Sequence, residues 1–185
     1  MPVTDDLRSL RGHCTCKAIS YTLLNTPLIV HCCHCTYCQR ETGSAFVLNM
    51  QIETSAVAQI ATKEATEPTL VETPSASGTP QLIARCPKCW VALYSHYGGN
   101  MASAFVRVGT LDDESRHRVK PNVHIFTSTK AEWVDLKSEV ERGAKVFDEF
   151  YEREKIWSKS ALARREKMLK SMVVESDKDE EEEDE

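Results

Sequence analysis

Four cysteines crowd into the run "HCCHCTYC", from His31 to Cys38, and four more stand in two separated pairs, Cys14-Thr-Cys16 and Cys86-Pro-Lys-Cys89. C-x₂-C is a standard zinc-knuckle spacing. C-x-C serves equally well, because residues i and i+2 of an extended strand face the same side. Two such pairs can close a tetrahedral four-thiolate site, with Cys14, Cys16, Cys86 and Cys89 as ligands. A closed site of that kind contributes folding energy, on the order of 10 kcal/mol in small zinc domains.

The central run reads differently. Adjacent residues of a strand point to opposite faces, so Cys32 and Cys33 are not expected to share one metal. Cys33, Cys35 and Cys38 can converge as C-x-C-x₂-C. Three thiolates leave a fourth tetrahedral position open, the mark of a zinc that does chemistry. A soft thiolate pocket also accepts another thiol. Cys32 is then expected to face the core as a small hydrophobe. His34 should point away from the metal, into its outer surroundings or into solvent, and His13 and His31 serve surface or packing roles. The expectation is two zinc ions per chain, one structural and one catalytic. A purely structural use of all eight cysteines is the competing reading.

These thiols must be positioned by a chain of 185 residues, long enough for one domain with an extension. A core of that size does not depend on disulfides. No apolar run reaches the roughly 20 residues that span a bilayer, and the first residues lack the apolar stretch of a secretory signal. A cytoplasmic, reducing setting is therefore expected, where clustered cysteines bind metal rather than pair. Net charge is −5, but residues 175–185 hold nine acids against one lysine, so the rest of the chain is about +3. The acidity belongs to the tail and says little about ligands of the body.

Residues 1–10 read as a loose lead-in. From about 11 to 137 the chain reads as short strands: "AISYTLL" alternates, "SAFVLNMQI", "QLIARC", "ASAFVRVGTL" and "NVHIFTS" are apolar and partly β-branched, and 67–80 carries three prolines and an exposed turn. Residues 138–174 read as a helical extension, with Val146, Phe147, Phe150 and Tyr151 at helical spacing and Gly143 interrupting or starting the helix. The second part of that helix, basic and weakly apolar, is expected to reach into solvent. Residues 175–185 are expected to be disordered.

The stretches "GHCTC", "CCHCTYCQRETGSAF", "ARCPKC", "VGTLDD", "PNVHIF" and "AEW", in that order, resemble the glutathione-dependent formaldehyde-activating enzyme family, also called centromere-protein-V-like. The resemblance spans roughly residues 11–137. It implies a mainly β fold of the Mss4-like, β-tent type, to which this chain adds a C-terminal helical extension. It implies a structural zinc on Cys14, Cys16, Cys86 and Cys89 and an active-site zinc on Cys33, Cys35 and Cys38, the partition that spacing also reaches. It implies joining formaldehyde and glutathione into S-hydroxymethylglutathione, reversibly, at a carbon–sulfur bond. One position departs: family members carry glycine after the second cysteine of C-P-x-C, where this chain has Trp90.

The expected activity is thus that of a zinc-dependent carbon–sulfur lyase on glutathione or a glutathione adduct. His124 and Glu41 are the candidate proton shuttles, and Arg40, Arg85 or Arg107 the candidate anchors for the two glutathione carboxylates. One alternative is an enzyme with the same ligands and another thiol adduct or electrophilic metabolite as substrate. Another is a zinc-stabilised binding module using the basic stretch Lys155–Lys170, where the lack of interleaved aromatic side chains argues against nucleic acid.

Overall fold

The computed structural model describes residues 7–61 and 65–182, and side chains up to Ser171. In chain order the regular elements are β1 (Arg11–His13), β2 (Ser20–Leu23), β3 (Ile29–Cys33), α1 (Thr36–Thr42), β4 (Val47–Glu53), β5 (Val57–Gln59), β6 (Thr69–Thr73), β7 (Gln81–Arg85), β8 (Ala92–His96) and β9 (Ser103–Arg107). They continue with α2 (Asp113–Arg116), β10 (Val123–Ile125), α3 (Lys137–Glu141), β11 (Lys145–Val146), α4 (Arg153–Ile156) and α5 (Lys159–Glu182). The chain has the expected mainly β fold with a C-terminal helix. Three strands form a small sheet in the order β1-β2-β5, and eight form a large one in the order β11-β10-β3-β4-β9-β8-β7-β6. The pairings β11-β10 and β10-β3 are parallel and the others antiparallel.

Alternation along β3, β4 and β9 separates two faces of the large sheet. Val30, Met50, Ile52, Ala104 and Val106 face one way and bury against Leu10, Tyr21 and Leu23 beside the small sheet. Ile29, Cys33, Val47 and Ile125 face the other way and bury against Tyr151, Trp157 and Ala161 of the C-terminal segment. At Gly12 a Cβ would stand 2.4 Å from the Tyr21 ring and 2.7 Å from the Thr110 carbonyl oxygen, so only glycine permits the approach of β1 to β2 and to the Gly109–Thr110 backbone.

Three expectations about the chain ends are corrected. Leu10 is fully buried and Ser9 N–H donates to the Leu23 carbonyl at 3.0 Å, so the lead-in packs from its described part onward; residues 1–6 lie outside the described residues. Residues 138–157 do not form a continuous helix. Gly143, at φ +100°, follows the end of α3 and turns the chain into β11, which pairs with β10. Tyr151 and Trp157 gain more by burying on the sheet than the segment would gain from its local helical spacing. α5 does not project freely: Ala161 and Met168 are buried, and Arg164 clamps Glu53 with two hydrogen bonds of 2.8 and 2.6 Å. Its helical backbone continues through the acidic run to Glu182, because Glu is a good helix former even where charge density argues against packing.

Candidate functional site

Two tight turns bring the first donor set together. Cys14 and Cys16 follow β1. Lys17 takes φ +60° and its N–H returns to the Cys14 carbonyl at 3.0 Å, while Ile19 N–H donates to Cys14 Sγ at 3.4 Å. After β7, the Trp90 N–H returns to the Cys86 carbonyl at 2.8 Å. The four sulfurs lie within 4.8 Å of one another. Cys14 and Cys16 are 3.5 Å apart and Cys16 and Cys86 3.7 Å. An edge of a zinc–thiolate tetrahedron is about 3.8 Å, so the set fits zinc. Burial pushes the Cys14 thiol up to about 12. Burial also acts on Cys89, but backbone N–H groups of Cys16 and Val91 outweigh it and bring that thiol down to about 6.

Trp90 keeps the turn that glycine would make. It sits in the left-handed region at φ +59° with its side chain 58% exposed. The indole neither reshapes the knuckle nor fills space beside it.

The second set stands where β3 runs into α1. Cys33 ends the strand. Cys35 is the N-cap of α1, its Sγ accepting from Cys38 N–H at 3.4 Å, and Cys38 lies one turn in. The three sulfurs fall within 4.8 Å, and among the described residues no fourth donor joins them. Hydrogen bonds from the Cys33 and Cys38 thiols hold Cys35 as a thiolate, far below the ordinary value, and the same contact with Cys35 pushes Cys33 up. The set is therefore primed to exchange protons for a metal ion. The turn is fixed from outside: the His34 carbonyl accepts from Gln39 Nε2 at 2.6 Å and from Thr129 Oγ1 at 3.0 Å.

Beside this triad lies a buried polar layer. Arg107 donates to Asn49 Oδ1 at 2.7 Å, to Ser95 Oγ at 3.2 Å and to Glu41 Oε2 at 3.0 Å. Arg85 takes the other Glu41 oxygen at 2.6 Å. The hydrogen bond with Cys33 lowers Cys38, but the contacts with Cys35 and burial outweigh it and push that thiol up to about 12, with the Arg107 charge a smaller counter-effect. Tyr97 stands within electrostatic reach of all three sulfurs; burial first, and then the cysteine charges, push its phenol up, so it stays protonated. A groove of about 310 Å³ adjoins the layer, lined by Thr42, Ser44, Phe46, Val47 and Arg107 among others. Val47 is the register partner of Cys33.

The structure brings the seven expected ligands into their two sets and sorts the other candidates. Glu41 is in the polar layer, engaged by two guanidinium groups. Arg85 and Arg107 are occupied by it. Arg40 is exposed on α1 and makes no ion pair among the described residues. His124 is not brought to the triad. It pairs in register with Cys32, on the sheet face opposite Cys33, and bonds His34 and Glu139. His34 does point away from the triad, yet it is fully buried, not in solvent. Tyr97, Asn49 and Ser95 were not legible as site residues, since only strand register places them beside the cysteines.

Fold and site together define a mainly β protein with two all-cysteine donor sets, one complete and one with a position to spare. The family model described as glutathione-dependent formaldehyde-activating enzyme matches residues 9–129, and the chain belongs to that family. Among solved structures, a Rhodobacter sphaeroides protein determined by structural genomics is similar at 16% identity, over 75% of this chain and 99% of that one, with a TM-score of 0.41. No curated protein matches. No helix among the described residues is long and apolar enough to cross a membrane.

Proposed function

We propose that this protein is a zinc-dependent carbon–sulfur lyase that makes and breaks the adduct of glutathione with a small aldehyde, formaldehyde first among them. The observation that carries this is the convergence of the Cys33, Cys35 and Cys38 sulfurs with no fourth donor among the described residues. An ion held there supplies a thiophilic, Lewis-acidic position. The chain supplies the rest. Adduct formation makes a carbon–sulfur bond, removes the thiol proton and puts a proton on the carbonyl oxygen. The Tyr97 phenol, kept protonated, is the donor for that oxygen. Glu41 is a positioning residue rather than a shuttle: it fixes Arg107 against the triad. Arg40, exposed on α1, is the anchor for a glutathione carboxylate. The groove volume suits a small adduct with much of the tripeptide left outside.

The test is NMR exchange between formaldehyde, glutathione and S-hydroxymethylglutathione with the zinc-loaded protein. Accelerated exchange, lost in Cys35→Ser and reduced in Tyr97→Phe, is expected. Glutathione binding without accelerated exchange would assign the site to another adduct, and no binding with zinc on the triad would overturn the reading.

A further inference from the structure

We propose that Cys32, His34 and His124 form a third metal site, for a borderline divalent ion such as zinc, on the face of β3 opposite the Cys33 triad. The Cys32 sulfur lies 3.5 Å from His34 Nε2, which lies 3.1 Å from His124 Nδ1. The three donor atoms fall within 4.8 Å of one another, and the residues are 2%, 0% and 3% exposed. Around a tetrahedral zinc, a sulfur–nitrogen edge is about 3.5 Å and a nitrogen–nitrogen edge about 3.3 Å. Both separations are close to those edges.

The protons point the same way. Glu139 is held ionised first by its hydrogen bonds from Arg142, whose Nε is 3.0 Å away. An ionised carboxylate only accepts, so His124 Nε2, at 3.2 Å from Glu139, carries the ring proton. His124 Nδ1 then presents a lone pair to the point the three residues share. A carboxylate behind the far ring nitrogen is the usual support of a metal-binding histidine. In the metal-free arrangement a single proton on His34 Nε2 serves His124 and, weakly, Cys32. His34 Nδ1 is meanwhile buried with no partner among the described residues. That nitrogen is free to carry the ring proton when Nε2 turns its lone pair to an ion. On binding, the Cys32 thiol proton leaves to solvent and the His34 proton moves to Nδ1, so a dipositive ion displaces one proton. One thiolate with two imidazoles selects zinc-like ions over magnesium or calcium.

The consequence is mechanical. His34 stands between Cys33 and Cys35, so an ion on its ring ties the triad's turn to β10 and, through Glu139, to α3. The site lies behind the proposed active centre and does not depend on that activity.

The experiment is native mass spectrometry of the full chain saturated with Zn(II). Three ions per chain are expected, falling to two in His124→Ala, to two in Cys35→Ser and to one in the double variant. Two ions in the unaltered protein, with the count unchanged in His124→Ala and lowered in Cys35→Ser, overturn this site and leave the triad. A count lowered in His124→Ala but not in Cys35→Ser does the reverse. Should the variants fail to fold, ¹¹³Cd NMR of the unaltered protein decides, because each imidazole that replaces a thiolate moves the resonance upfield. A third resonance upfield of two all-thiolate ones is expected; only two all-thiolate resonances overturn the proposal.

Discussion

Arg107 and Glu41 form a buried ion pair: Arg107 Nη2 lies 3.0 Å from Glu41 Oε2, with side chains 7% and 6% exposed. Arg85 completes the carboxylate from its other side. Glu41 is thus the one acid joining α1, which carries Cys38, to β9 and β7. Glu41→Gln leaves a buried guanidinium without its counter-charge, and the expected loss is about 3 kcal/mol in urea unfolding of the metal-loaded protein. Zinc content should not change, because no ligand is touched. A variant of unaltered stability would show that the pair holds nothing together.

Trp90 occupies a left-handed conformation in the turn between Cys86 and β8, at φ +59°. That conformation costs a non-glycine residue about 1 kcal/mol. The exposed indole has little packing to lose, and Arg85 Nη1 bonds the Trp90 carbonyl, which glycine retains. Trp90→Gly is therefore expected to stabilise the protein by about 1 kcal/mol, read as a higher denaturation midpoint with unchanged slope. A destabilised variant would assign the indole a contact that outweighs its strain.

The two cysteine sets should differ in their response to metal removal. Cys14→Ser opens a site that joins β1 to the turn after β7, and unfolding of the body is expected, with a loss on the order of 10 kcal/mol when the ion no longer binds. Cys35→Ser removes a ligand local to one strand–helix turn, and a folded, inactive protein is expected. A chelator titration followed by circular dichroism should empty the triad before the fold is lost. Equal melting losses in the two variants would erase the distinction.

Docking of α5 should weaken in acid. Burial opposes the Glu53 charge, but the paired hydrogen bonds from Arg164 outweigh it and hold the carboxyl below its ordinary 4.5. A depressed carboxylate contributes stability that is complete above 4.5 and lost as pH falls through the lower folded value. Trp157 reports this well, being buried in the docked segment while Trp90 and Trp133 are exposed. Its emission should shift to the red below pH 4.5, and Arg164→Met should show the shift already at neutral pH. Superimposable acid titrations of the two proteins would remove Glu53 from the account.

The cysteine arithmetic was legible from the sequence because it is local. C-x-C on a strand, C-x₂-C in a turn, and the C-x-C-x₂-C run are set by two or three backbone dihedrals. The same locality made Cys32 readable as the residue that faces away from Cys33. Its surroundings were not readable. His124 reaches Cys32 only because β10 pairs with β3 in parallel, and that register joins residues 92 positions apart. Arg107, Ser95 and Tyr97 stand beside the triad for the same reason, through β4, β9 and β8. Side chains on facing strands meet by register, and a one-residue slip would send each to the other face.

The C-terminal region shows the opposite error. Residues 138–157 have helical spacing, and local propensity is all that a single sequence displays there. The decision came from elsewhere: His31 Nε2 and the Tyr151 hydroxyl share a hydrogen bond of 2.7 Å, Trp157 Nε1–H donates to the same oxygen at 2.8 Å, and both aromatic rings bury on the Cys33 face of the sheet. In the sequence, then, lay the donor atoms and the chemistry they support, because spacing of a few residues determines which thiols can share an ion. The tertiary structure alone decided which charges, rings and helices enclose them, because those contacts are made across strands whose pairing is set by the burial of the whole sheet.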